Sequence, residues 1–128
     1  MSIADNLIKY KTEIEAQGVC LVAVSKYQSV EAIQEAYQAG QRVFGENLVQ
    51  EMVEKADQLP QDISWHLIGH LQTNKVKYIA GFVSLIESVD SLKLLKEINK
   101  QAAKHKRVID CLLQIYIVRL ANRSDKVW

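Results

Sequence analysis

The stretch Val19-Cys20-Leu21-Val22-Ala23-Val24-Ser25-Lys26 runs six apolar residues into two polar ones. An unbroken apolar run rich in β-branched side chains predicts a strand buried on both faces, as in a parallel sheet. Ser25 and Lys26 then stand at its C-terminal end. Upstream, Ile3, Leu7, Tyr10 and Ile14 share one stripe of an amphipathic helix that Gly18 closes. Downstream, Ser29 can cap a helix with Ala32, Ile33, Ala36 and Tyr37 inward, and Gly40 suits its C′ position.

The same alternation repeats along the chain. Arg42-Val43-Phe44 predicts a strand, followed by a helix with Leu48, Val49, Met52, Val53 and Ala56 inward and Pro60 just past its end. Trp65-His66-Leu67-Ile68 leads into a helix from about Thr73 to Ala80. Phe82-Val83-Ser84-Leu85-Ile86 precedes a helix carrying Leu92, Leu95, Ile98 and Ala102, and Ile109 to Ile117 reads as a fifth strand. Strand and helix alternating at a spacing of roughly 20–25 residues predicts right-handed βαβ units and a parallel sheet.

A doubly wound sheet and a (β/α)8 barrel share this grammar. The polar and small residues help to choose: Ser25-Lys26, Gly45-Glu46-Asn47, Gly69-His70 and Ser88 with Asp90 each follow a predicted strand. All would lie at one end of a parallel sheet, where barrel enzymes build their sites. Neither a GxGxxG nor a Walker phosphate loop is present, which weakens the nucleotide-binding alternatives. The expected fold class is α/β, an incomplete (β/α)8 barrel of about five parallel strands with outer helices.

Composition narrows the function. With 128 residues, 48% hydrophobic, 24% charged and a net charge of +1, the chain has the make-up of a soluble domain and no electrostatic footprint for nucleic acid. The N-terminus lacks the basic and apolar regions of a signal peptide, and no apolar stretch approaches membrane-spanning length, so a cytoplasmic protein is expected. Cys20 and Cys111 sit in apolar runs and read as buried thiols rather than a disulfide.

Lys26 is the sharpest chemical candidate. At the rim of an apolar sheet, partial desolvation would favour its neutral amine, the form that attacks an aldehyde. On its own, a lysine at a strand end is ordinarily solvated. Asn47, with Gln50 three residues on, has the form of a helix cap and its partner, although a side chain there also faces a barrel mouth. His66 and His70 on one strand would be roughly 13 Å apart, too far for one metal ion. His66 is expected inward and hydrogen-bonded, with His70 at the rim.

Together these segments carry a resemblance. Ala23-Val24-Ser25-Lys26, then Phe44-Gly45-Glu46-Asn47 with Gln50-Glu51, then Trp65 to Lys75 resemble the pyridoxal phosphate homeostasis protein family in order and spacing. The resemblance extends from residue 1 to about Ile117. It implies a single-domain barrel related to the N-terminal domain of alanine racemase. It also implies that Lys26 holds pyridoxal 5′-phosphate (PLP) as a Schiff base, with Asn47 beside the pyridine ring; His66 is expected to converge with them at one end or on the concave face of the sheet. Family members are regarded as monomeric carriers or regulators in vitamin B6 balance, with PLP-dependent apoenzymes as candidate partners and no established turnover. A racemase-like PLP enzyme and a truncated fragment with little PLP binding are the alternatives.

Residues 118–128 depart from the pattern. The family follows its fifth strand with an acidic segment and Lys-x-Gly, whereas this chain ends in Lys126-Val127-Trp128. A reading-frame shift near Val118 would produce that ending, since AAA-GTN-TGG read one base later encodes Lys, a variable residue and Gly. Residues 1–117 are therefore expected to be the N-terminal part of the barrel and 118–128 an atypical tail, frameshifted or truncated. The strands whose loops grip the phosphate are absent from the pattern.

Overall fold

The structure is a computed structural model, and its described residues are 2–117. The expected division at 117 cannot be followed into the tail, which lies outside them. Five strands form one sheet in the order β1-β2-β3-β4-β5, every pair parallel. They are β1 (Ala23–Val24), β2 (Val43–Glu46), β3 (Ser64–Leu67), β4 (Leu85–Val89) and β5 (Asp110–Leu113). The helices are α1 (Ile3–Glu15), α2 (Val30–Gln38), α3 (Val49–Gln58), α4 (Val76–Ile79) and α5 (Leu92–Lys104). A sequential order without reversal puts every right-handed crossover on the same side of the sheet. The fold is the incomplete barrel rather than the doubly wound sheet.

Strand alternation divides the residues between two faces. Ala23, Phe44 and Trp65 align across the first three strands, and Leu67, Ile86 and Cys111 across the last three. All six belong to the core that the helices cover, with Ile33 of α2, Met52 of α3, Ile79 of α4 and Leu94 and Ile98 of α5 packed over them. The intervening row, Val24, Gly45, His66 and Leu85, looks the other way. Val24 is 54% exposed there, so the strand expected to be buried on both faces is covered on one.

Several expected boundaries shift. Only Ala23 and Val24 of the first apolar run pair with β2, and Val19 and Cys20 are exposed, so Cys20 is not the buried thiol expected. Gln41 explains where the pairing stops. Its buried amide donates to the Leu21 carbonyl at 2.8 Å and the Val43 carbonyl at 2.7 Å, taking the place of a ladder bond. β4 begins at Leu85, later than the expected Phe82, because Arg107 reaches back to the Ala80 and Val83 carbonyls and holds that segment as a loop. The helix expected from Thr73 to Ala80 is a 3-10 turn, Thr73–Lys75, running into the single turn of α4, and Thr73 does not cap it. Helix α1 contributes no fully buried residue, and its expected inward Ile3 and Tyr10 are exposed.

Other local readings hold. The Ser29 hydroxyl accepts from the Ala32 N–H at the start of α2, and Gly40 takes φ 108° at its end. Among the described residues no helix is long and apolar enough to cross a membrane.

Gln41→Leu removes both of its hydrogen bonds and strips two carbonyls of a partner. We expect urea denaturation to show a loss of about 2–3 kcal/mol, with amide exchange rising first around residues 21–23.

Candidate functional site

Lys26 occupies a tight turn. The Gln28 N–H donates to the Ser25 carbonyl at 3.0 Å, and Tyr27 adopts φ 62°, the left-handed region that bulky residues rarely enter. Lys26 is exposed, and among the described residues its ammonium has no hydrogen bond or ion pair. The partial desolvation expected of it is therefore absent from this face, which lies open.

Sheet register relates the other two candidates to it. Val24, Gly45 and His66 form one row. Lys26 and Asn47 each lie two residues beyond that row on adjacent strands. They stand level at the C-terminal rim, and His66 sits roughly 7 Å deeper. Between Val24 and His66, Gly45 leaves a gap into which Val22 and Ile68 press, since a Cβ there would meet their methyl groups at 3.2 and 3.3 Å.

Asn47 is not the helix cap that its spacing predicted. Leu48 takes the capping position without a side-chain bond, and Gln50 bonds Glu54. Asn47 packs on Gly69, where a Cβ would come within 2.5 Å of the Asn47 carbonyl oxygen and 2.8 Å of its Cγ. The Ser88 hydroxyl donates to the Gly69 carbonyl, so the loops after β2 and β3 and the end of β4 interlock at this point. A cavity of about 720 Å³ opens beside them, lined by Asn47, Leu48, Gln50, His70, Gln72 and Tyr78 among others.

His66 points inward as expected but lacks the expected hydrogen bond. Its Nδ1 is buried without a hydrogen-bond partner among the described residues, and the Glu87 carboxylate stands 3.5 Å away, too far or misaligned to supply one. His70 is exposed at the rim. Among the described residues no group of three or more His, Cys, Asp or Glu side chains is placed to hold a metal ion.

Beneath the Lys26 turn lies a buried polar network that the sequence reading missed. Glu46, at the end of β2, is fully buried, and its Oε2 accepts from the Ser25 hydroxyl and, at 2.9 Å, from the Lys55 ammonium. The same ammonium donates to the Ser25 carbonyl at 2.7 Å and stands 3.5 Å from Glu51. Glu51 in turn accepts the Tyr27 N–H at 3.0 and 3.3 Å through its two oxygens. The signal was present, because Lys55 falls on the same stripe of α3 as Met52, where a solvated lysine has no place.

The two carboxyls respond in opposite senses. Burial pushes Glu46 above the ordinary value, with Ser25 and Lys55 opposing that rise. Glu51 is held below the ordinary 4.5, chiefly by the Tyr27 N–H, with Lys55 assisting. A lowered folded-state value stabilises the fold above the unfolded value, and that contribution is lost as pH falls through the folded one. The stability advantage of the native chain over Glu51→Gln should thus shrink as pH drops below 4.5, read by thermal unfolding at a series of pH values. Gly69→Ala forces Asn47 to move, and we expect a cost of about 1–3 kcal/mol, with amide shifts at Asn47 that exceed those elsewhere.

Comparison with known proteins agrees with this fold. Residues 1–120 match the alanine racemase N-terminal domain. The pyridoxal phosphate homeostasis protein of Schizosaccharomyces pombe is 41% identical over 126 residues, which is 94% of this chain and 52% of that protein. Its namesake in Aquifex aeolicus is 46% identical over 98 residues, 76% of this chain and 43% of that one. PipY of Synechococcus elongatus, solved with PLP bound, superimposes with a TM-score of 0.84 at 39% identity, covering 91% of this chain and 56% of PipY. Its form without PLP gives a TM-score of 0.85. The chain spans about half the length of the curated relatives it matches. Matched along nearly its whole length and folded as the matching part of PipY is, the chain belongs to the alanine racemase N-terminal domain family, where it is similar to the pyridoxal phosphate homeostasis proteins.

Proposed function

We propose that this chain binds PLP through a Schiff base on Lys26, as part of a cytoplasmic carrier or regulator in vitamin B6 balance rather than an enzyme with turnover. One observation carries the reading: among the described residues the Lys26 ammonium has no hydrogen bond or ion pair, yet it sits on a turn tied down on both sides, level with Asn47. A surface lysine free of function needs no such turn. The names of the relatives and the PLP-bound form of PipY support the choice of cofactor.

The residues present suit the group. The Lys26 amine, in its neutral form, would bond to the aldehyde carbon while the carbonyl oxygen leaves as water. Asn47 would border the ring, and the Nδ1 of His66, which has no hydrogen-bond partner among the described residues, would offer a hydrogen-bonding site deeper on the open face. PLP supplies an electrophilic carbonyl and an electron-withdrawing ring. A racemase would need, besides Lys26, a second acid/base group on the opposite face of the cofactor. PLP-dependent apoenzymes are the proposed recipients of the cofactor, and the whole protein is proposed to act as a monomer.

PLP titration followed by borohydride reduction and peptide mass analysis tests the assignment. We expect label on Lys26, its loss in Lys26→Ala, and no turnover of D- or L-amino acids. Label on other lysines alone would remove Lys26 from the site, and turnover would favour the racemase-like reading. Barrel phosphate sites come from loops after strands 7 and 8, so the 128-residue chain should bind PLP at least about tenfold more weakly than a full-length relative. Equal affinity in side-by-side titrations would show that the five strands described here suffice.

A further inference from the structure

We propose that Glu51 and Lys55 are positioning residues for Lys26, gripping the two peptide groups that flank it and so setting where its amine stands. The inference rests on the reading of Lys26 as the cofactor lysine.

Among the described residues the exposed Lys26 ammonium makes no hydrogen bond or ion pair that would hold it, so its placement depends on the backbone. That backbone is in an unfavoured state. Tyr27 takes φ 62°, and its side chain is 77% exposed, so packing does not keep it there. What meets the turn instead is a pair of charges from α3. The Glu51 carboxylate accepts the Tyr27 N–H just after Lys26, and the Lys55 ammonium donates to the Ser25 carbonyl just before it. The two side chains stand 3.5 Å apart on successive turns of the helix. Lys55 is anchored by the fully buried Glu46, which also accepts the Ser25 hydroxyl, so the clamp is referenced to the end of β2.

Helix packing alone does not call for this arrangement. A buried ion pair is often no more stabilising than apolar residues of the same volume. A methionine at position 55 would fill the same space beside Met52. The charged groups do something a methionine does not: they bind one carbonyl and one N–H, on opposite sides of a single residue. Their hold on the turn keeps the Lys26 side chain starting from one direction, level with Asn47.

The test uses Glu51→Ala, Glu51→Gln and the double variant Glu51→Ala with Tyr27→Gly, each checked for a cooperative thermal transition. Lys26 labelling by sub-saturating PLP and borohydride is measured beside hydrogen exchange of the Tyr27 and Gln28 amides. Glu51→Ala should lower Lys26 labelling about tenfold and speed those two amides by at least about tenfold, the loss of a charge-assisted hydrogen bond. Glu51→Gln, which keeps an acceptor, should fall between. Glycine at 27 enters the left-handed region without strain and should recover part of the labelling, which a general loss of stability would not allow. Equal Lys26 labelling in folded native and Glu51→Ala chains overturns the proposal, as does unchanged exchange at Tyr27. Absence of Lys26 label in the native chain itself overturns the cofactor assignment and the positioning role with it, an outcome the variants do not produce.

Discussion

The buried contact between the Lys55 ammonium and the Glu46 carboxylate ties three elements together at the rim of the sheet. Removing two charges from water is costly, and the cost is offset only when each is well hydrogen-bonded. Lys55 meets that condition with Glu46, the Ser25 carbonyl and Glu51 around it. Glu46 meets it on one oxygen and not the other, because its Oε1 has no hydrogen-bond partner among the described residues. Either partner left alone would be a charge stranded in the core. The ends of β1 and β2 and the face of α3 must therefore move as one body.

That constraint matters because the sheet is covered on one side only. On the helix-facing side, Phe44, Trp65, Leu67 and Ile86 form a dense apolar layer that would hold the strands together under almost any choice of rim residues. The other side carries Val24, the gap at Gly45, His66, whose Nδ1 has no hydrogen-bond partner among the described residues, and Glu87 near it. Val24 and Lys26 on that side are exposed. Order has to come from below, through backbone groups fixed by the buried layer, as in the Ser25 and Tyr27 contacts. The Gly69 site works likewise, with backbone held close enough to Asn47 to exclude even a methyl group.

Much of the architecture was legible in the residues. Apolar runs ending in polar pairs, spaced by amphipathic helices, specify parallel strands whose functional ends share one rim, because a right-handed crossover returns each strand in the same direction. The motifs around Lys26, Asn47 and His66 were legible as a family pattern. Boundaries were less so. β1 is short because Gln41 captures the Leu21 carbonyl, and β4 starts late because Arg107 captures the Ala80 and Val83 carbonyls. Both are side-chain bonds formed between residues roughly 20–27 positions apart, which no local pattern announces.

By itself, then, the sequence determined the order and direction of the strands, the sidedness of the helices and the placement of Lys26 at a strand's end. Periodicity and chirality act over a few residues, so they can be read from a few residues. Tertiary structure decided which polar residues are buried. Lys55 shares a stripe with Met52, but only the packing of α3 brought its ammonium under the Ser25 carbonyl, 30 residues away. Asn47 had the spacing of a cap, yet close packing on Gly69 claimed it. The difference is physical. Burial and hydrogen-bond partnership depend on which distant segments meet, and only the assembled sheet settles that.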